Sequence, residues 1–122
     1  TNKHIHLCAY INLMTNLTQE VTQLHADICS ALADPRRILL LYALAEKPYT
    51  VNDLAKYLEI SQPVTSRHLK ILRERGLVNA TRDGINVEYS LNDHRLIDAL
   101  DLLRDVLRDR IAHRANLIVE LK

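Results

Sequence analysis

At 122 residues, 48% of them hydrophobic, the chain is long enough for one domain with a modest core and too apolar to be a disordered tail. Its formal net charge of +1 excludes a polycation that coats nucleic acid indiscriminately, and two Gly and three Pro leave little room for a glycine-rich phosphate cradle. Five Tyr with no Phe or Trp leave core construction to Leu, Ile, Val and Ala, which favours packed helices. Two Cys, Cys8 and Cys29, are too few for a secreted disulfide scaffold and suit a reducing cytosol.

Residues 1–16 show no regular periodicity and are read as an N-terminal extension, irregular or non-native, with Met14 just ahead of a helix start. They lack a long apolar region with a small-residue cleavage site, and no apolar run reaches the length of a membrane span, so a cytoplasmic protein without a membrane partner is expected. Residues 17–122 are expected to form one domain. Leu17, Val21, Leu24, Ile28 and Leu32 recur at spacings of 4, 3, 4 and 4, an amphipathic first helix ending near Ala33. Asp34-Pro35, an N-cap acid followed by proline at the first helical position, starts a second helix. From Ile38 to Ala45 it is apolar on every side and should be the central buried helix, broken at Glu46-Lys47-Pro48.

The stretch from Thr50 to Arg75 carries the chemistry. Thr50 and Asp53 form a capping-box-like start, and Val51, Leu54, Ala55 and Leu58 share one helical face. Ser61 then caps a second helix with Pro63 in its first turn. Thr65, Leu69 and Leu72 form its inward stripe, and Gln62, Ser66, Arg67, Lys70 and Arg73 are left outward. Between Ser61 and Gly76 four bases (Arg67, Lys70, Arg73 and Arg75) face one acid, Glu74. Amides, hydroxyls and guanidinium groups on one face can bond base edges and neutralise phosphates. The DNA contacts expected of this helix are Gln62, Pro63, Thr65, Ser66, Arg67, His68, Lys70 and Arg73, with His68 both packing and touching phosphate; Arg36 or Arg37 is a further candidate for phosphate.

Gly76 supplies a left-handed C-cap, after which the period changes from helical to alternating. Leu77 to Arg82 and Ile85 to Leu91 read as two strands around Asp83-Gly84, a hairpin turn pair. A hairpin after a recognition helix is a wing, and Arg82 and Asn86 at its tip are candidates for the DNA backbone or a minor groove. From Asn92 to Lys122 one long helical pattern follows, capped at Asn92 or Asp93, with six acids and six bases on its exposed sides. At 1.5 Å per residue it is longer than so small a domain can cover, so its surplus apolar stripe is expected to dimerise. A two-fold dimer also suits a palindromic double-stranded DNA operator.

With that order of elements, the strings Ala31 to Leu39, Asp53-Leu54-Ala55, Ser61-Gln62-Pro63 with Ser66 to Leu72, Arg75-Gly76-Leu77-Val78, Asp83-Gly84 and Tyr89-Ser90-Leu91 resemble the ArsR/SmtB family of winged helix-turn-helix transcriptional repressors. The resemblance covers residues 17–120. It implies a mostly helical α+β fold, four helices, a β-hairpin wing and a fifth helix, and a homodimeric repressor released from its operator by a metal or chemical signal. The chain departs from the family pattern at two places. Glu59 stands where the corner usually has Gly, and Thr65 where an apolar residue is usual; the first is expected to force a left-handed or adjusted turn at about 1 kcal/mol.

The family's thiol site would need cysteines at Thr50 and Asn52, and its long-helix metal site a fuller set of ligands than His113 with Asn116 three residues on. Neither site is preserved. Sensor candidates therefore lie N-terminal: His25 and Cys29 one turn apart, with His4, His6 and Cys8 upstream, offering soft metal ligands or a thiol pair. No cofactor is assigned; a metal ion stays open as the signal. The alternatives are a winged-helix protein-interaction module without DNA binding and a repressor with no metal sensing. An enzyme is not expected, since neither His68 with Ser66 nor Cys29 with His25 is accompanied by an oxyanion motif or an orienting third residue.

Overall fold

The computed structural model of the chain describes residues 16–120. Helix α1 occupies residues 16–24 and widens into a π turn over His25–Cys29, where the Ser30 N–H donates to the His25 carbonyl five residues back at 3.0 Å. A 3-10 turn, Ala31–Ala33, follows. The amphipathic stripe thus ends where its spacing indicates, but through a change of helical geometry rather than a clean stop.

Asp34 begins α2 (Pro35–Glu46), its carboxylate accepting from the Arg36 N–H at 2.9 Å. Leu40, Leu41, Ala43 and Leu44 are buried, whereas Leu39 is 52% exposed, so α2 is covered on one side and open on the other. The expectation of burial all round is corrected: α2 has too few neighbours to enclose it within one chain. Tyr49–Thr50 then form β1, a two-residue strand too short to show an alternating signal in sequence.

Helix α3 (Val51–Leu58) is capped by the Thr50 hydroxyl, which accepts from the Asp53 N–H at 3.2 Å. It ends at Glu59 with φ 57° and ψ 43°, the left-handed turn its sequence position demands, closed by Ile60 N–H to the Ala55 carbonyl at 3.0 Å. Helix α4 (Gln62–Glu74) starts from the Ser61 cap and stops at Gly76, φ 77°, where Leu77 N–H returns to the Leu72 carbonyl at 2.9 Å.

The strands β2 (Val78–Asp83) and β3 (Asn86–Leu91) pair antiparallel from Val78 opposite Leu91 to Asp83 opposite Asn86, and β1 adds to the other edge of β3 through Tyr49 opposite Tyr89. Since Asp83 pairs with Asn86, the two turn residues are Gly84, φ +65°, and Ile85, one position later than the Asp83-Gly84 reading. Asn92 ties the foot of the hairpin together: its N–H reaches the Leu77 carbonyl and its amide the Gly76 carbonyl at 2.8 Å. That leaves Asp93 as the residue whose side chain accepts from the Arg95 N–H at the start of α5 (Arg95–Glu120).

Leu40, Leu41, Leu54, Leu69 and Leu72 form the fully buried centre, joining α2, α3 and α4, with Leu77, Val78 and Leu100 at its border. Only the first turns of α5 pack on this core. Leu100 is buried, Tyr42 donates its hydroxyl to Asp101 Oδ1 at 2.7 Å, and every residue from Leu102 to Glu120 is exposed.

Candidate nucleic-acid interface

The outward side of α4 is set by what its inward side must do. Leu69 and Leu72 are fully buried, so on a helix of 3.6 residues per turn Gln62, Ser66, Arg67, Lys70 and Arg73 turn to solvent, and all five are exposed. Pro63, Ser66, Arg67, Lys70 and Arg73 line one cleft with Tyr89 of β3. The helix therefore offers a hydroxyl and three cations along a groove wall whose other side is the sheet. Tyr89 does not stand out in sequence as a cleft residue, because it lies within a strand well beyond the helix; only the seating of the sheet against α4 brings it to the cleft.

Two expected contacts of α4 belong elsewhere. Thr65 is fully buried and donates its hydroxyl to the Ser61 carbonyl at 2.9 Å, so it fills the inward apolar place with its polar atom satisfied inside the helix. His68 is 6% exposed and lies against Arg37, 3.2 Å from its Nδ1 to the guanidinium, with Asp34 3.9 Å from its Nε2. Both are removed from the reading face because the core needs the side of α4 on which they stand. Burial pushes the His68 pKa down, with Arg36, Arg37 and Arg67 adding to the effect and Asp34 opposing it.

Other cations are also committed. Arg37 turns inward to donate to the carbonyls of Ala31 at 2.6 Å and Ser30 at 3.4 Å, which engages its guanidinium within the chain. Arg36 grips Asp34 through Nε and Nη2, and that pair holds the Asp34 carboxyl well below the usual carboxylate range. Arg75 donates to the Ala26 carbonyl at 2.5 Å and pairs with Asp27 at 3.6 Å, fastening the end of α4 to the π turn. The local positive field of α4 therefore comes from Arg67, Lys70 and Arg73. On the wing, Arg82 and Asn86 are exposed, and Ile85 in the turn is 98% exposed.

The sensor candidates fall out differently. Cys8, His4 and His6 lie outside the described residues. His25 and Cys29 are both exposed on the π turn, and Cys29 is a free thiol at the edge of an apolar groove of about 630 Å³ shared with Leu24, Ile28, Leu96 and Leu100. Asp109 and His113 share an exposed surface of α5. Among the described residues, no three of His, Cys, Asp or Glu within the chain come together as a metal site.

A family model described as "Bacterial regulatory protein, arsR family" matches residues 34–80, the span from the α2 cap into β2. The chain is 38% identical over 93 residues to a transcriptional repressor SmtB homolog of Synechocystis, covering 76% of this chain and 70% of that protein. It belongs to the ArsR family. A probable mercury resistance operon repressor of Streptomyces lividans is 37% identical over 99 residues, covering 78% of this chain and 79% of the relative. Among solved structures, the homodimeric winged helix-turn-helix DNA-binding domain from Mycobacterium bovis superposes with a TM-score of 0.68 at 26% identity, over 79% of this chain and 88% of the other. This ArsR-family chain is thus a DNA-binding transcriptional regulator built on the winged helix-turn-helix fold, with α3 and α4 as the helix-turn-helix and β2 and β3 as the wing. No helix among its described residues is long and apolar enough to cross a membrane.

Proposed function

We propose that the chain is a homodimeric cytoplasmic repressor in which residues 17–122 act as one DNA-binding and dimerisation domain. Helix α4 enters the major groove of a palindromic operator and reads it with Gln62, Ser66, Arg67 and Lys70. Pro63, at the same end of the helix, approaches the backbone, and Arg73 with the wing residues Arg82 and Asn86 holds phosphate or the minor groove. The observation that carries this reading is the cleft where Ser66, Arg67, Lys70 and Arg73 stand exposed on one side of a helix whose other side is locked in the core. Arginine can bond a guanine edge with two hydrogen bonds and glutamine an adenine edge likewise, while lysine and arginine neutralise phosphates.

Dimerisation accounts for the apolar surface left open: Leu17, Val21 and Leu24 on α1 and Leu103, Val106 and Leu107 on α5 are each 45% exposed or more. Release answers a metal or thiol signal, with Cys8, His25 and Cys29 as its candidate receivers.

The test is operator selection followed by substitution. Duplexes enriched by the wild-type chain from a random library should lose their preference over scrambled sequence with Arg67→Ala or Gln62→Ala, by about 1–3 kcal/mol each, while the dimer persists. Arg73→Ala should weaken all duplexes alike and flatten the salt dependence of binding. If Arg67→Ala and Gln62→Ala bind the enriched duplex as the parent does, the reading face is wrongly assigned.

A further inference from the structure

His68 is a buried imidazole on the inner side of the recognition helix, and its surroundings fix its protonation state. The guanidinium of Arg37 can only donate, so the Nδ1 atom it faces at 3.2 Å must present a lone pair. A neutral ring then carries its proton on Nε2, on the side of Asp34 Oδ2 at 3.9 Å. The same Arg37 donates to the carbonyls of Ser30 and Ala31, so one guanidinium joins the start of α2, the 3-10 turn after α1 and the inner side of α4. Among the described residues, no fully buried side-chain nitrogen or oxygen lacks a hydrogen-bond partner.

A second proton would break this arrangement. Nδ1–H would point at a donor, and an imidazolium would sit among Arg36 and Arg37 of α2 and Arg67 of α4, with Asp34 as the opposing acid. That carboxylate is already engaged by Arg36 through two side-chain bonds. Burial adds to the cost of charging the ring.

We propose that Arg37 and His68 are positioning residues for DNA reading: Arg37 holds residues 30 and 31 and the His68 ring together, setting the seat of α4, and operator binding requires His68 to be neutral. Arg67 is the neighbour of His68 in sequence, so a shift in the seat of the ring moves a reading residue directly. The inference rests on α4 being the operator-reading helix.

The experiment measures affinity, by fluorescence anisotropy at fixed salt, for the duplex enriched by the wild-type chain and for its scrambled counterpart. The readout is the ratio of the two, so that general pH effects on phosphate binding cancel. For the wild type the ratio holds through the ordinary imidazole range and falls by about tenfold only as the pH passes below the lowered His68 pKa, in a series taken from about pH 7.5 down to about pH 4.5, the loss of one hydrogen bond to a charged group. His68→Asn, which keeps an acceptor near Nδ1 and cannot take up a proton, holds a constant ratio across the range. Arg37→Gln lowers the ratio at the higher pH, with circular dichroism and the sedimentation of the dimer unchanged. Long-range nitrogen NMR of the wild-type ring shows the Nε2–H tautomer at neutral pH.

A wild-type ratio that does not change with pH, a His68→Asn ratio that falls as the wild type's does, or an Nδ1–H tautomer overturns the proposal, even if Arg37→Gln should fail to fold. A wild-type chain that enriches no duplex overturns the reading of α4 itself, and this inference with it.

Discussion

His68 carries two readings in sequence, packing and phosphate contact, and its burial against Arg37 bears out the packing. In the sequence it stands between an outward Arg67 and an inward Leu69, and a hydrophilic ring in a basic helix invites a phosphate contact. The structure turns it inward, and burial lowers its pKa from the ordinary imidazole value of about 6.5. The sign of the resulting pH effect follows from linkage. Below about pH 6.5 the unfolded chain takes up the proton while the folded chain still refuses it, so the unfolded state binds more protons and stability falls with pH until the lowered folded pKa is reached. The urea midpoint of the wild type should therefore drop more between about pH 7.5 and about pH 5.5 than that of His68→Asn. Equal drops in the two would show that His68 carries none of the acid sensitivity. Thr65 is the milder case: a hydroxyl in an apolar place is tolerated because it donates to the Ser61 carbonyl rather than being left dry.

Among the elements, the corner between α3 and α4 decides how the reading helix is presented. Glu59 adopts φ 57°, a left-handed backbone that a side chain tolerates at a cost of about 1 kcal/mol and that glycine adopts freely. Glu59→Gly should stabilise the domain by up to about 1 kcal/mol, less the added freedom of the unfolded chain, while Glu59→Val should destabilise it by more than that gain. Thermal unfolding of the pair measures both; a stabilising valine would contradict the strained-corner account. Helix α4 itself was legible from its cap, its first-turn proline and its inward leucines, because these are local signals. Strand β1 was not, since two residues carry no period, and it exists only because Tyr49 and Thr50 find Tyr89 and Glu88 across from them. The wing turn moved by one residue for a similar reason, the pairing of Asp83 with Asn86 leaving Gly84 and Ile85 at the tip.

At the scale of the whole molecule, α5 runs 26 residues, about 39 Å, and is anchored at one end by Leu100 and by Tyr42 with Asp101. Arg104 lies over the Tyr42 ring at 5.2 Å, completing that anchor. Beyond it Leu103, Val106, Leu107 and Ile111 are all more than half exposed, a surface that costs free energy unless a second copy covers it. Leu103→Glu together with Val106→Glu should turn the dimer into a monomer by sedimentation while leaving the helix-turn-helix folded. Affinity for a palindromic duplex should then fall by about a hundredfold or more, since two linked half-sites no longer act together. A double variant that remains dimeric would place the interface elsewhere.

The spacing of Leu17, Val21 and Leu24, the Asp34-Pro35 start, the Ser61 cap and the alternation around Asp83-Gly84 were enough to read helix order and wing, because caps and periodicity act over a few residues of chain; the resemblance to the family rested on the residue strings between Ala31 and Leu91. What the tertiary structure alone decided is which polar groups on those helices remain outside. Arg37, His68 and Arg75 look as available in sequence as Arg67, Lys70 and Arg73. They differ in that carbonyls at residues 26, 30 and 31, and the side chains of α2, lie within hydrogen-bond reach of the first set once the core has closed.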